Sequence, residues 1–466
     1  MKNESKSSRR KFLHQIGATT LVTAASPLAT FAAKEKAEER ILHYERPISP
    51  NDKVRIGVIG YGVQGHFDLT TALKVPGVEL AGICDLYTGR LENAKELNGK
   101  DLYTTRNYKE LLDRKDIDAV LICTTDCWHA RITQDALAKG KHVYLEKPMV
   151  YKIEEGYAVM EAAKKSGKVV QIGSQRVSSI GLAKAKELIA AGEIGKLNMV
   201  NAVYDRQSSI GAWEYTIPKD ANAETTNWDK FIEVTEKMAY DSKKFFWWRA
   251  FKEVGTGVAG DLFIHLLSGT HFMTNSLGPT SIYSTGQFSY WNDGRNMPDV
   301  MSGVMQYPGS KEHPAFQLTL QVNFISGTGG QEVIQLVGSE GVLTVKGNNI
   351  SIKHSYMPEA PGFGGYDSLF TFSKSMQDEM QKEYDAKWTE EQRKRKVVMD
   401  VEFKAPEGYS DHLDHFTNFF DAIRTGKKVV EDTEFGFRAA APALSCNESY
   451  FTKKIVNWDP VKMKLV

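Results

Sequence analysis

The rhythm of apolar and polar positions changes along the chain. From Val54, the short unbroken apolar runs VRIGVIG, VELAGICD, DAVLICTT, KHVYLEKP and KVVQIG alternate with stretches of helical periodicity. Runs of that length read as strands buried on both faces, with the helices between them as crossovers. A doubly wound parallel sheet of βαβ units is therefore expected over residues 52–175. After a predicted helix over Ala183–Ala191, stopped at Gly192, the texture changes. LNMVNAVYDRQ, SIYSTGQFSYW, VMSGVMQYP, AFQLTLQVNF, EVIQLVGSEGVLTVKG and NISIKH follow one another with little helix between them, predicting an α+β domain over 176–466 with a large, mostly antiparallel open sheet. The stretch 355–408 departs again: MPEAPGFGGYD is rich in Gly and Pro, and SMQDEMQKEYDAKWTEEQRKRK reads as a solvated helix, so an insertion is expected here. The tail returns to helix in HLDHFTNFFDAIRTG and EFGFRAAAPALSCNESY, and no internal repeat is found.

Composition narrows the partners rather than the fold. The 466 residues are 41% hydrophobic and 25% charged, which suits a globular chain of two or three domains. Lys plus Arg number 59 against 58 Asp plus Glu, so no surplus charge steers the protein to nucleic acid or acidic lipid, and a small neutral substrate fits. Cys84, Cys123, Cys127 and Cys446 lack metal-binding spacing and read as buried thiols, with a disulfide left open. His412 and His415 would need further ligands to hold a metal, and no metal site is predicted.

The N-terminus carries a different signal. Ser8, Arg9, Arg10, Lys11, Phe12 and Leu13 precede a mildly apolar segment, Ile16 to Leu28, that ends in small residues around Ala29, Ala32 and Ala33. Residues 1–33 resemble a twin-arginine signal peptide, so the twin-arginine export machinery is an expected partner and the periplasm the expected location. No later apolar run is long enough to span a membrane, so the mature protein is expected to have no membrane span.

In GVIGYGVQG, Gly60, Gly62 and Gly65 form GxGxxG between a strand and a helix, with Tyr61 and Gln64 in the same turn. Such glycines allow a tight turn and close approach of backbone to a pyrophosphate seated on helix N-terminal amides. The match gains force from Asp85, which ends the next strand about 20 residues after the last glycine, where a carboxylate accepts ribose hydroxyls. It would repel a 2′-phosphate, so NAD is expected over NADP.

Ligands of such sheets sit beyond the carboxyl ends of the strands, where Thr124 to His129 and Glu146 to Pro148 fall. Lys147 precedes a proline and is therefore held in extended backbone at the cleft. The EKP motif after AGKHV-like text (AKGKHV here) and the Trp128–His129 pair resemble the glucose-fructose oxidoreductase, inositol dehydrogenase and MocA (Gfo/Idh/MocA) family, from about Val54 to the C-terminus. Thr125 replaces that family's usual proline. The resemblance implies a Rossmann domain followed by an α/β domain whose open sheet lines the substrate site and often an oligomer interface, so a homodimer or homotetramer is expected. It also places Thr124, Trp128, His129, Glu146 and Lys147 beside the cofactor.

Farther on, FFWWRAFKEVGTGVAGDLFIHLLSGTHFM sets Asp261 and His265 four apart, a spacing that puts both on one face of a helix. Gly255, Gly257 and Gly260 suit close approach of backbone to a ligand. Hydride removal from a secondary alcohol needs a base for the hydroxyl proton, and imidazole fits near neutrality. Asp261 would orient that ring or bind a neighbouring hydroxyl. A buried Asp–His pair tying helix to sheet fits the spacing equally well, and the family resemblance in DxxxH and EKP favours catalysis. Lys147 would then hold the substrate oxygen and lower its pKa. His271 reads as structural, and Trp247, Trp248 and Arg249 as a sugar-pocket wall or as core. The expectation is an exported NAD-dependent oxidoreductase acting on a secondary hydroxyl of a carbohydrate (a sugar, polyol or glycoside), with a cofactor carried out in its pocket and regenerated in place. The alternatives are an NAD-dependent glycoside hydrolase working by transient oxidation and elimination, and a noncatalytic sugar-binding protein.

Overall fold

The computed structural model describes residues 52–466, so the leader expected at 1–33 lies outside the described residues. Two sheets organise the chain. The first has six parallel strands in the order β3-β2-β1-β4-β5-β6: β1 Val54–Ile59, β2 Val78–Cys84, β3 Tyr103–Thr105, β4 Ala119–Ile122, β5 His142–Glu146 and β6 Val170–Gly173. β1 and β4 are fully or almost fully buried, as their unbroken apolar runs require. Helices α1 Val63–Ala72, α2 Thr88–Asn98, α3 Tyr108–Asp113, α4 Asp126–Ala138 and α5 Glu155–Ser166 make the crossovers. The order reverses between β1 and β4, which opens a crevice at their carboxyl ends.

After α6 Ile180–Ala190 the second sheet begins with β7 Leu197–Asp205. The strands that follow are β8 Ser281–Gln287, β9 Val300–Tyr307, β10 Phe316–Asn323, β11 Gln331–Gly338, β12 Gly341–Lys346, β13 Asn349–His354, β14 Val401–Phe403, β15 Val456–Asp459 and β16 Lys464–Leu465, and among the described residues the sheet runs β14-β13-β12-β11-β7-β10-β9-β8-β15-β16. β7 and β10 (Phe316–Asn323) pair in parallel, and the other ladders are antiparallel. β9 Val300–Tyr307 and β10 alternate buried with exposed positions, so one face is covered and the other open. Helix α7, Ile264–Thr274, is almost wholly buried and lies against this sheet, where a side chain at Gly269 would come 3.1 Å from Ile334.

Two features cross the divisions read from sequence. The stretch 355–408 contains helix α8, Lys374–Lys387, with no buried residue, but also ends in β14, Val401–Phe403, which pairs with β13, Asn349–His354, at the sheet edge. Helix α9, Asp411–Thr425, packs Phe416, Phe419 and Phe420 into the core of the first sheet, with Phe416 stacked on Tyr144 at 4.4 Å. The parallel sheet therefore takes part of its covering layer from the far end of the chain. Helix α10, Thr433–Thr452, follows and contributes to the second core.

Candidate active site

The crevice is built first from glycines. Gly60 has φ +92°, and a Cβ there would lie 2.6 Å from the Cys123 carbonyl oxygen. At Gly65 a Cβ would lie 2.0 Å from the Gly60 carbonyl oxygen, so helix and strand meet with no room for a side chain. Gly62 caps α1 in extended backbone without a side-chain cap, leaving the first amides of this ten-residue helix for an anion. Thr124, just beyond β4, buries a hydroxyl that has no partner. These residues fit a dinucleotide pyrophosphate.

Asp85 is buried at the end of β2 and accepts from Tyr61 N at 2.7 Å and Tyr87 N at 2.9 Å. A carboxylate has about four lone-pair sites; the two amides and Arg90 Nη1 take three, so one remains for a ribose hydroxyl. Arg90 Nη1 stands 3.4 Å from Asp85 Oδ2, with Phe245 and Phe246 beside its guanidinium. Tyr61 contributes its backbone to the turn, for its hydroxyl bonds His66 Nδ1 at 3.0 Å. Gln64 donates to Asp68 Oδ1 at 2.9 Å.

At the other end of the crevice, His129 and Trp128 hold loops in place. The two ring nitrogens of His129 lie 2.7 Å from the Pro148 carbonyl and 3.2 Å from that of Thr124. Trp128 donates to the Phe231 carbonyl at 2.9 Å. Glu146 is buried, accepts from Gln175 Nε2 at 2.6 Å and from Lys147 N at 3.1 Å, and keeps its proton more tightly than usual because of burial. Burial and the nearby Glu146 charge push Asp68 up strongly as well.

Lys147 Nζ donates to Asp261 Oδ1 at 2.8 Å and to the Asp261 carbonyl at 2.9 Å. Asp261 lies in a π-helical turn, Ala259–Phe263, that runs into α7. Its Oδ1 also accepts from Arg249 Nε at 3.0 Å, while Oδ2 accepts from Trp213 Nε1 at 2.9 Å and lies 3.6 Å from Arg206. Burial opposes this charge, but Lys147, Arg249 and Arg206 prevail and hold the carboxyl well below the usual range. Both oxygens are thus taken by other groups, and Asp261 does not orient the His265 ring. It anchors Lys147 instead, which has three ammonium protons and two bonds to Asp261, leaving one for a substrate oxygen. His265 leaves Nδ1 without a partner, and burial, then the Lys147 charge, hold its imidazole well below its ordinary value.

Sequence spacing gave no hint of Trp213 and Arg206, which reach Asp261 from the loop after β7. Asp126 was equally silent: buried at the start of α4, it accepts from Thr256 N at 2.9 Å and Oγ1 at 2.5 Å and ties the two domains together at the Gly255–Gly257 loop. Its place directly between Thr125 and the Trp-His pair was the available signal. Trp248 lies half-buried under Arg249 at 4.2 Å and so supports the Asp261 network, and Trp247, also half-buried, donates to the Tyr215 carbonyl at 2.6 Å. His271 bonds Tyr307, and His415 bonds Ser178 and the Ile172 carbonyl. Among the described residues the four cysteines are free, and no group of three or more His, Cys, Asp or Glu is placed to hold a metal ion. No described helix is long and apolar enough to cross a membrane.

A Gly-rich strand–turn–helix with a carboxylate at the end of the next strand, and a nearly buried lysine beyond β5, is an arrangement that fits a nicotinamide dinucleotide. Residues 54–174 match the Gfo/Idh/MocA family described as "Oxidoreductase family, NAD-binding Rossmann fold". A "Glycosyl hydrolase family 109 protein" of Shewanella baltica is 27% identical over 371 residues, covering 76% of this chain and 70% of that protein. An "Inositol 2-dehydrogenase" of Salmonella typhimurium is 32% identical over 168 residues, 36% of this chain and 49% of that one. Among solved structures, the aldose-aldose oxidoreductase of Caulobacter crescentus superposes with a TM-score of 0.60 at 14% identity, over 87% of this chain and 99% of that one. A levoglucosan dehydrogenase solved with NADH and levoglucosan gives a TM-score of 0.60 at 17% identity, again over 87% and 99%. These structures share the fold. Together the matches support an NAD-binding Rossmann domain of the Gfo/Idh/MocA oxidoreductase family over residues 54–174.

Proposed function

We propose that this protein transfers hydride between NAD and a secondary hydroxyl of a sugar, polyol or glycoside. The observation that carries the reading is Lys147, its side chain only 9% exposed beyond β5 and fixed on Asp261 with one donor left over. That donor holds the substrate oxygen and stabilises negative charge growing on it. His265, kept neutral by burial and by Lys147, accepts the hydroxyl proton. NAD, when bound, supplies the hydride acceptor. The preference for NAD over NADP rests on Asp85, whose charge faces the 2′ position and neutralises Arg90.

The protein is exported folded, with the dinucleotide aboard, through the route that the Arg9–Arg10 pair addresses, and works as a homo-oligomer in the periplasm. Changing both arginines to lysine is expected to leave it in the cytoplasm, which cell fractionation reads directly. A second reading, transient oxidation during glycoside cleavage, is favoured by the extent of the relatives: those named as glycosyl hydrolases match across 76% of the chain, whereas the inositol dehydrogenases cover 36%. Nicotinamide absorbance tests both. A dehydrogenase stays reduced after meeting its sugar until an acceptor arrives, and a redox-assisted hydrolase returns to the oxidised form with a cleaved product. Tight sugar binding without any absorbance change or product would leave only a binding protein.

A further inference from the structure

Asp261 carries one negative charge and meets three cations. Lys147 Nζ and Arg249 Nε share its Oδ1 at 2.8 and 3.0 Å, and Arg206 Nη2 stands 3.6 Å from its Oδ2. Among the described residues neither guanidinium lies within ion-pair distance of another carboxylate, so three cations against one carboxylate leave a surplus of two positive charges. Asp126 also acts on Arg249, but burial pushes its carboxyl up, and even ionised it would leave one positive charge over. The near-zero net charge of the whole chain hides this local excess. The two arginine side chains are only 20% and 25% exposed, and charge withdrawn that far from water is costly without a counter-charge.

Both guanidiniums are held flat with their donors to spare. Arg249 lies 4.2 Å from the centre of the Trp248 ring, and Arg206 lies 5.5 and 5.6 Å from those of Tyr204 and Phe324. Stacking of this kind fixes the guanidinium plane and leaves its N–H edges for a partner. Of five N–H groups each, Arg249 spends one, through Nε on Asp261, and Arg206 spends one, from Nη1 to the Gly211 carbonyl at 2.8 Å. Because Arg249 shares an oxygen with Lys147, its spare donors stand no more than about one sugar residue from the ammonium that holds the reacting hydroxyl. A neutral hydroxyl could fill these donors and leave the charge unmet. A carboxylate meets both needs, since its two oxygens match the guanidinium fork.

We infer that the substrate is a sugar acid, a uronic acid or uronide whose carboxylate is gripped by Arg249 and Arg206 while Lys147 holds the hydroxyl to be oxidised. The placing of the hydroxyl rests on the hydride-transfer reading, and the placing of the carboxylate rests on the arginine pair.

The experiment uses the NAD-loaded full-length protein and pairs of methyl glycosides that differ only at the last carbon, a hydroxymethyl group in the hexoside and a carboxylate in the uronide, in the gluco, galacto and manno series. Calorimetry reads binding, and nicotinamide absorbance reads turnover. In at least one series the uronide is expected to bind about a hundredfold more tightly than its hexoside. Arg249→Gln should cost the uronide about a hundredfold and the hexoside less than about tenfold, in KM more than in kcat. Arg249→Lys, which keeps the charge without the fork, should fall between. Arg206→Gln should repeat the pattern more weakly, and an NAD affinity equal to that of the unmodified protein in each variant reports an intact fold. Hexosides that bind as tightly as uronides in every series, or equal losses on both members of a pair in Arg249→Gln, would overturn the inference. So would tighter binding of hexose phosphates than of uronides, which assigns the arginines to a phosphate. Reduction by hexosides alone sinks the sugar acid and leaves hydride transfer standing. Selective uronide binding with no reduction by any sugar takes down hydride transfer and leaves the carboxylate site standing.

Discussion

At the Gly60–Asp85 end of the crevice, the groups that face a ligand are backbone amides and one carboxylate, all from a single strand–helix–strand unit. At the Lys147–Asp261 end they are charged side chains gathered from β5, the loop after β7, the Trp248–Arg249 turn and the π-helical turn before α7. The first end is shaped by what is missing: side chains at Gly60 and Gly65 would collide with backbone at 2.6 and 2.0 Å. The second is shaped by charge compensation, with one buried carboxylate meeting Lys147, Arg249 and Arg206. Each end is therefore vulnerable in its own way. A geometric site binds or fails to bind, whereas a compensated charge cluster can lose a member, keep its fold and lose only chemistry.

Lys147→Ala should separate the two ends most clearly. Asp261 would still have Arg249, Arg206 and Trp213, so the carboxylate is not left bare and the fold should hold. The dinucleotide should still bind at the distant glycine turn, while turnover falls by about a hundredfold or more. Steady-state kinetics beside calorimetric NAD binding checks this. Equal loss of binding and turnover would mean that the two ends are not separable.

Asp85→Ser should act in the opposite sense and more mildly. It removes the charge that meets a 2′-hydroxyl and releases Arg90, 3.4 Å away, to meet a 2′-phosphate. The ratio of NAD to NADP affinity should drop by about tenfold to a hundredfold, the size of a hydrogen bond to a charged group, with kcat much less affected. A ratio that stays put would remove Asp85 from the ribose.

The two ends also differed in how far the sequence disclosed them. GxGxxG and the aspartate after it are local, because one turn and the next strand suffice to build the pyrophosphate bed, and the alternation of apolar runs with helices exposed the parallel sheet around it. Lys147, Asp261 and His265 stand out in the sequence as residues, but their partnership does not: four-residue spacing allows Asp261 to orient the His265 ring or to bind a neighbouring hydroxyl, and the structure turns it to Lys147. A π-helical turn and cations distant in sequence decide that, and no periodicity encodes them. The covering of the parallel sheet by α9 was hidden for the same reason, since Phe416, Phe419 and Phe420 mark an apolar face without saying which sheet it meets.

A milder effect is expected at Glu431, whose carbonyl accepts from Ile172 N in β6, and tests whether buried carboxyl groups are compensated beyond Asp261. Glu431 is fully buried, and neither carboxyl oxygen makes a well-formed hydrogen bond, although Ser174 is close. Burial pushes this carboxyl well above its ordinary value, with Ser174 opposing and the Glu146 charge adding. The folded chain therefore keeps a proton on Glu431 at pH values where the unfolded chain releases it. The stabilisation is fully present below the unfolded value, near 4.5, and is lost as pH rises toward the folded one, at about 1.4 kcal/mol for each pH unit between them. Glu431→Gln removes that dependence while the backbone carbonyl still accepts from Ile172 N at 3.0 Å. At pH 8 the variant should melt higher than the unmodified protein by about a few degrees, and the advantage should vanish near pH 4. Melting curves at the two pH values decide it: a variant less stable at pH 8 than at pH 4, relative to the unmodified protein, would show Glu431 to be a compensated charge like Asp261.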